Sequence, residues 1–180
     1  VSMGQIADIL EQRGETDEAL RIRREEQLPV FERLGDVRSR AVTMGQIADI
    51  LEQRGETDEA LRIRREEELP VYERLGELRS RSVTLQKIAS CLLDLGGGAD
   101  ERIHEIHAAL AEAFDIALRM QLPDGIGFVG VPLGQVLVAM GRGEEALAVL
   151  DLAEAAFRKL GNSDGAAFAE QLRRRARDIE

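Results

Sequence analysis

The chain has 180 residues, of which 44% are apolar and 32% charged, enough apolar material to bury a substantial core of mainly Leu, Ile, Val and Ala. A single cysteine excludes an intrachain disulfide framework and no apolar run approaches the roughly 18 residues that cross a bilayer as a helix, so a cytoplasmic protein is expected. A net charge of −10 disfavours nucleic acid, whose phosphates call for a basic stripe, and suits a basic or neutral partner better.

Residues 3–43 recur as residues 44–84 with five substitutions in 41 positions. Self-similarity at such a period marks a solenoid, in which each unit is a supersecondary element unable to bury its apolar side alone. Val1-Ser2-Met3 aligns with Val42-Thr43-Met44, so the chain opens inside a unit. A shortened first helix is expected over Val1–Arg13 and its partner over about Asp17–Leu34, and the pair repeats as Val37–Arg54 and Asp58–Leu75. Val37, Ala41, Met44, Ile47, Ala48 and Leu51 are spaced by three and four, which places them on one face. Gly55 stops that helix. Thr57 is the expected N-cap of the next, with Asp58 and Glu59 in its first turn, and Arg74 followed by Gly76 marks its end. Within it, Arg64 and Glu68 lie four apart in the pattern of a solvated, salt-bridged face. Pro70 and its copy Pro29 fall about a dozen residues into these second helices, and each should bend or locally open its helix near Glu66 and Glu25.

These residues resemble the tetratricopeptide (TPR) repeats, in their longer, bacterial-type form of about 40 residues. The resemblance is carried by Met44, Ile47, Ala48 and Leu51, by Gly55, and by Asp-Glu-Ala-Leu at 58–61. It recurs in Met3, Ile6, Ala7, Leu10, Gly14 and Asp17–Leu20, and more loosely in Leu133, Gly134, Leu137, Gly141 and Glu144–Leu147. It covers nearly the whole chain. Arg64 and Glu67 depart from it, standing where the family has an aromatic and a small residue.

From Leu85 the pattern loosens. Leu85, Ile88, Ala89 and Leu92 continue the first-helix face, with Cys91 in the place of Ile50 as a buried, inert thiol. Glycines 96–98 lengthen the following turn, and without a succeeding Lys-Ser/Thr they do not form a phosphate loop. A long second helix follows over about Asp100–Met120, ended by Leu122-Pro123. On it, Glu101, His104 and His107 sit one turn apart, a metal-ligand spacing that lacks the further ligands a di-iron or zinc site requires. Gly125-Ile-Gly-Phe-Val-Gly130 matches a dinucleotide fingerprint literally, but no strand precedes it. The glycines are expected instead to let the first helix of the fourth unit approach its neighbours closely. Glu144–Leu160 is that unit's second helix. Ser163 or Asp164 can then cap a closing helix to about Ile179, whose stripe of Ala167, Phe168, Leu172, Ala176 and Ile179 is flanked by Arg173, Arg174, Arg175 and Arg177. That arginine run suits a terminal cap, with a nucleic-acid patch as the alternative.

The expected fold is all-α, a right-handed superhelical solenoid of antiparallel helix pairs with about nine helices. The expected organisation is one domain over 1–180, with units at about 1–43, 44–84, 85–129 and 130–162 and a capping helix at 163–180, cut from a longer array. The resemblance implies a non-enzymatic scaffold that binds a protein or peptide, basic or amide-rich, in a groove lined by the first helices. The candidate groove residues are Asp8, Glu11, Gln12, Asp49, Glu52, Gln53, Ser90 and Asp94, together with Gly4, Gly45 and Leu93. Neither a cofactor nor a metal is expected. The alternatives are a ligand-sensing module of a larger signalling ATPase and, more remotely, a metal enzyme using Glu101, His104 and His107. Ile6, Ile9 and Leu10 lack a preceding unit to cover them, which suggests further repeats upstream or self-association through that face, at roughly 25 cal/mol for each Å² left open.

Overall fold

The structure, a computed structural model, describes residues 2–96 and 99–178, and the side chains of all of these except 99–101. Among the described residues there are nine helices and no strand: α1 (Met3–Gln12), α2 (residues 16–34), α3 (Val37–Gln53), α4 (residues 57–75), α5 (Leu78–Leu95), α6 (Ala99–Arg119), α7 (Pro123–Ala139), α8 (Gly143–Lys159) and α9 (Ser163–Arg177). They form two compact units, Val1–Glu77 and Leu78–Glu180. In the first, α2 packs on both α1 and α3, and α3 packs on α4. In the second, α5 to α9 pack each on the next.

The ends of the helices follow local chemistry. Ser2 caps α1 in a full capping box with Gln5. The expected Thr57 cap is displaced by one residue. Glu56 occupies the cap position without a side-chain bond, and Thr57 is already helical, because Gly55 and Glu56 turn back to bond Glu52 and Leu51 of α3. At α9 the cap is Asn162, whose side chain accepts from the Gly165 N–H, and neither Ser163 nor Asp164 takes that place. Helix α6 ends at Arg119, where the Leu122 N–H turns back to the Ala117 carbonyl, and Pro123 opens α7 at its first position, where its fixed φ suits a helix start.

Prolines 29 and 70 act as expected on α2 and α4. The backbone widens from α to π geometry over Ile22–Gln27 and Arg64–Glu68, immediately before Leu28-Pro29 and Leu69-Pro70. A π segment re-spaces the carbonyls where the proline ring would clash and where its missing N–H would break the ladder, so the helix continues through the site.

The near-identical copies form a controlled comparison of environment. In α3, covered by α2 and α4, Ile47 and Ile50 are 1% and 0% exposed, whereas their copies Ile6 and Ile9 in α1 are 36% and 44% exposed. Sequence alone does not bury a residue. Cys91 is fully buried among Leu85, Ile88, Ala89 and Leu92 of α5, as its position predicts.

Most inter-helix turns place a glycine at positive φ: Gly14, Gly35, Gly55, Gly76, Gly96, Gly141 and Gly161. The α6–α7 turn places Gln121 there, at φ +53°.

Candidate functional site

Two arginines organise the first unit. Arg23 on α2 and Arg64 on α4 lie in the π segments and are 1% and 0% exposed. Arg64 donates through one Nη to Asp49 at 2.6 Å and Glu52 at 2.5 Å, both on α3. Arg23 repeats this with Asp8 at 2.7 Å and Glu11 at 2.5 Å on α1, and its other Nη donates to Gln46 on α3 at 2.7 Å. Arg23 thereby ties its own repeat to the next. Burial works against the charge on Arg64, but the hydrogen bonds to Asp49 and Glu52 outweigh it and hold the guanidinium above its ordinary pKa.

The surface reading of Arg64 and Glu68 is therefore corrected, since both are buried. The departure from the family pattern at Arg64 carried the signal: a position that elsewhere takes an aromatic ring faces the interior, so a guanidinium there must bring counter-charges with it. The recurrent carboxylates supply them. Glu68 also explains a glycine, because a Cβ on Gly45 would come within 2.8 Å of a Glu68 carboxylate oxygen.

The candidate groove residues thus separate into two sets. Glu11 and Glu52 are turned to the arginines and mostly covered, and Asp8 and Asp49 share that contact but keep more surface open. Gln12 and Gln53, at the ends of α1 and α3, are exposed, as are Ser90, Leu93 and Asp94 on α5.

In the second unit the arginine run of α9 is partly committed to its neighbour. Arg173 pairs with Asp151 and with buried Glu154 of α8, each at 2.5 Å, Arg158 also pairs with Glu154, and Arg174 pairs with Glu170. His104 is exposed. His107 is half-buried, with Nε2 3.0 Å from an Arg142 Nη. Burial and then the Arg142 charge hold the imidazole below its ordinary pKa. The Glu101 side chain lies outside the described residues, among which no group of three or more His, Cys, Asp or Glu side chains could hold a metal ion.

The Gly125–Gly130 motif lies inside helix α7, as the missing strand implied. Its glycines serve packing. A Cβ on Gly127 would meet Phe157 at 2.9 Å, one on Gly130 would meet Ala153 and Phe114 at 2.9 Å, and one on Gly134 would meet Leu150 at 2.5 Å. Phe157 reaches from α8 between α7 and α9, lies edge-on to Phe128 at 5.1 Å, and comes equally close to Gly165 of α9. It forms part of the wall of a cleft of about 360 Å³, lined also by Phe128, Val131, Pro132 and Phe168, that the sequence did not reveal.

No family model matches the chain, and no curated protein matches it. Solved structures do. A Podosopora anserina protein described as a kinesin light chain, built of nearly identical TPR-like repeats, superposes with a TM-score of 0.70 at 18% identity, over 98% of this chain and 89% of that one. BtubC (BKLC) from P. vanneervenii gives 0.63 at 17% identity, over 98% and 78%. MamA gives 0.52 at 14% identity, over 99% and 90%. The chain has the TPR-like fold. It is an all-α array of helix pairs in which α1, α3, α5 and α7 are the first helices, α2, α4, α6 and α8 the second, and α9 the closing helix. Within this TPR-like frame, no helix among the described residues is long and apolar enough to cross a membrane.

Proposed function

We propose that this protein is a non-enzymatic scaffold that binds a protein partner through an extended segment laid along the exposed residues of its first helices. The observation that carries the reading is a repeated surface. Helices α1 and α3 share one sequence and offer the same residues outward, Asp8 with Gln12 and Asp49 with Gln53, while Glu11 and Glu52 hold the buried arginines. Amides and partly exposed carboxylates at a fixed repeat suit the backbone and basic side chains of an extended peptide. The chain's net charge of −10 supports the same preference for a basic or amide-rich segment.

Peptide display against the immobilised full chain, followed by calorimetry of the enriched sequences, tests it. Enrichment of basic or amide-rich peptides is expected, with affinity falling at least tenfold in Gln12→Arg/Gln53→Arg at an unchanged melting temperature, and falling as salt is raised, since exposed charges are screened over about 10 Å at 0.1 M. Absence of enrichment, or equal affinity for the double variant, would overturn the reading.

A further inference from the structure

We infer that the cleft between α7 and α9 is a subsite for one aromatic side chain of a partner segment, and that it selects an aromatic residue followed closely by an arginine or lysine. The inference rests on the scaffold reading and adds the anchor residue that reading leaves open.

The cleft is a consequence of packing. Phe157 of α8 is wedged against Gly127 of α7 and Gly165 of α9, and a Cβ at either glycine would come within 2.9 Å of its ring. The wedge, itself 3% exposed, closes the cleft between the two helices from below. Phe128 stands edge-on to it from α7, and Val131, Pro132 and Phe168 complete the walls. Phe128 and Phe168 are 54% and 45% exposed, two of only five phenylalanines in a chain with no Trp and one Tyr. Rings left this open on both sides of a third ring present their faces and edges to an incoming aromatic group, the geometry in which aromatic pairs gain beyond their area.

Charge selects among possible occupants. Asp164 is the one charged residue lining the cleft, it sits in the first turn of α9, and it forms no ion pair among the described residues. The Asn162 side-chain oxygen beside it is already engaged as the α9 cap. The rim therefore offers an uncompensated carboxylate and no cation. An apolar side chain alone would fill the cleft, whereas a neighbouring arginine or lysine would also meet Asp164, and an acidic neighbour would be repelled.

Because the protein has no Trp, a Trp-bearing peptide reports its own environment. The probes are short capped Gly/Ser peptides carrying one Trp followed by Arg, the same peptide with Glu for Arg, and one with Ser for Trp and a remote dye, each titrated with the full chain. The Trp–Arg peptide should show a blue-shifted emission that saturates, with at least tenfold weaker binding for Trp–Glu and none for Ser–Arg. Phe168→Ser, an exposed position whose melting curve should match the wild type, should abolish the shift, and Asp164→Asn should bring Trp–Arg and Trp–Glu together. Equal binding of Trp–Arg and Trp–Glu to the wild type, or an unchanged titration with Phe168→Ser, would overturn the proposal. So would sedimentation showing that the wild type self-associates and Phe168→Ser does not, since the occupant would then be a second copy. Binding of display-selected peptides that is sensitive to Gln12→Arg/Gln53→Arg but indifferent to Phe168→Ser would leave the scaffold standing and remove only this subsite.

Discussion

Arg64 of α4 and Glu52 of α3 lie 2.5 Å apart with the guanidinium completely buried, and one repeat earlier Glu11 meets Arg23 in the same way. A carboxylate that balances a buried cation is a folding group first. Glu52→Gln should therefore lower stability by about 2–3 kcal/mol in chemical denaturation, because an under-compensated charge remains inside. Adding Arg64→Met should recover most of that loss. Neutral behaviour of Glu52→Gln would show that the pair is solvated and that the burial of Arg64 carries no such cost.

The helix pairs were legible in the sequence because their cause is local. Three-and-four spacing, a glycine at nearly every turn and a second copy of the same 41 residues fix where the helices of the two copies begin and end to within a residue or two, whereas the expected start of the fourth unit at about 130 falls inside α7. The arginine network was hidden because RIRREEE reads as an exposed charged run in any window of one helix. Only the partner helix, fifteen and twelve residues away at Asp49 and Glu52, shows that it faces inward. The aromatic cleft depends on three helices meeting around Phe157, and no periodicity encodes that.

Ile6 and Ile47 occupy the same place in identical decapeptides but differ in exposure, 36% against 1%. Ile47→Ala should cost about 3–4 kcal/mol through lost burial and a residual cavity, and Ile6→Ala less than about 1.5 kcal/mol. Equal losses in urea titrations of the two variants would mean that α1 is covered in solution.

Gly134 stands where a Cβ would come within 2.5 Å of Leu150, so Gly134→Ala should overpack the α7–α8 contact and lower stability by about 1–3 kcal/mol. The opposite change is expected at Gln121, the one non-glycine at positive φ among the described residues: Gln121→Gly should raise stability by about 0.5–1 kcal/mol by relieving left-handed strain. Thermal melts of the two variants moving in the same direction would contradict this account of the glycines.

His107 makes the second unit sensitive to pH. Its folded pKa is depressed by burial and by Arg142, so the stability it contributes is complete above its unfolded value near 6.5. That stability is lost as pH falls from there through the depressed folded value, because the unfolded chain takes up a proton that the folded one resists. Stability measured from pH 7 to 5.5 should fall, and His107→Gln should flatten that part of the curve. An identical slope in the variant would remove His107 as the cause.

The division of labour on the first helices is tested most directly by one calorimetric series, in which a display-selected peptide is titrated into the wild type, Gln12→Arg/Gln53→Arg and Glu11→Gln/Glu52→Gln. The account predicts that the first variant loses at least tenfold in affinity, about 1.4 kcal/mol, while melting like the wild type. It predicts that the second keeps its affinity within about threefold but melts lower, because its carboxylates serve Arg23 and Arg64. The reverse pattern, with affinity lost in Glu11→Gln/Glu52→Gln at full stability and kept in Gln12→Arg/Gln53→Arg, would contradict it.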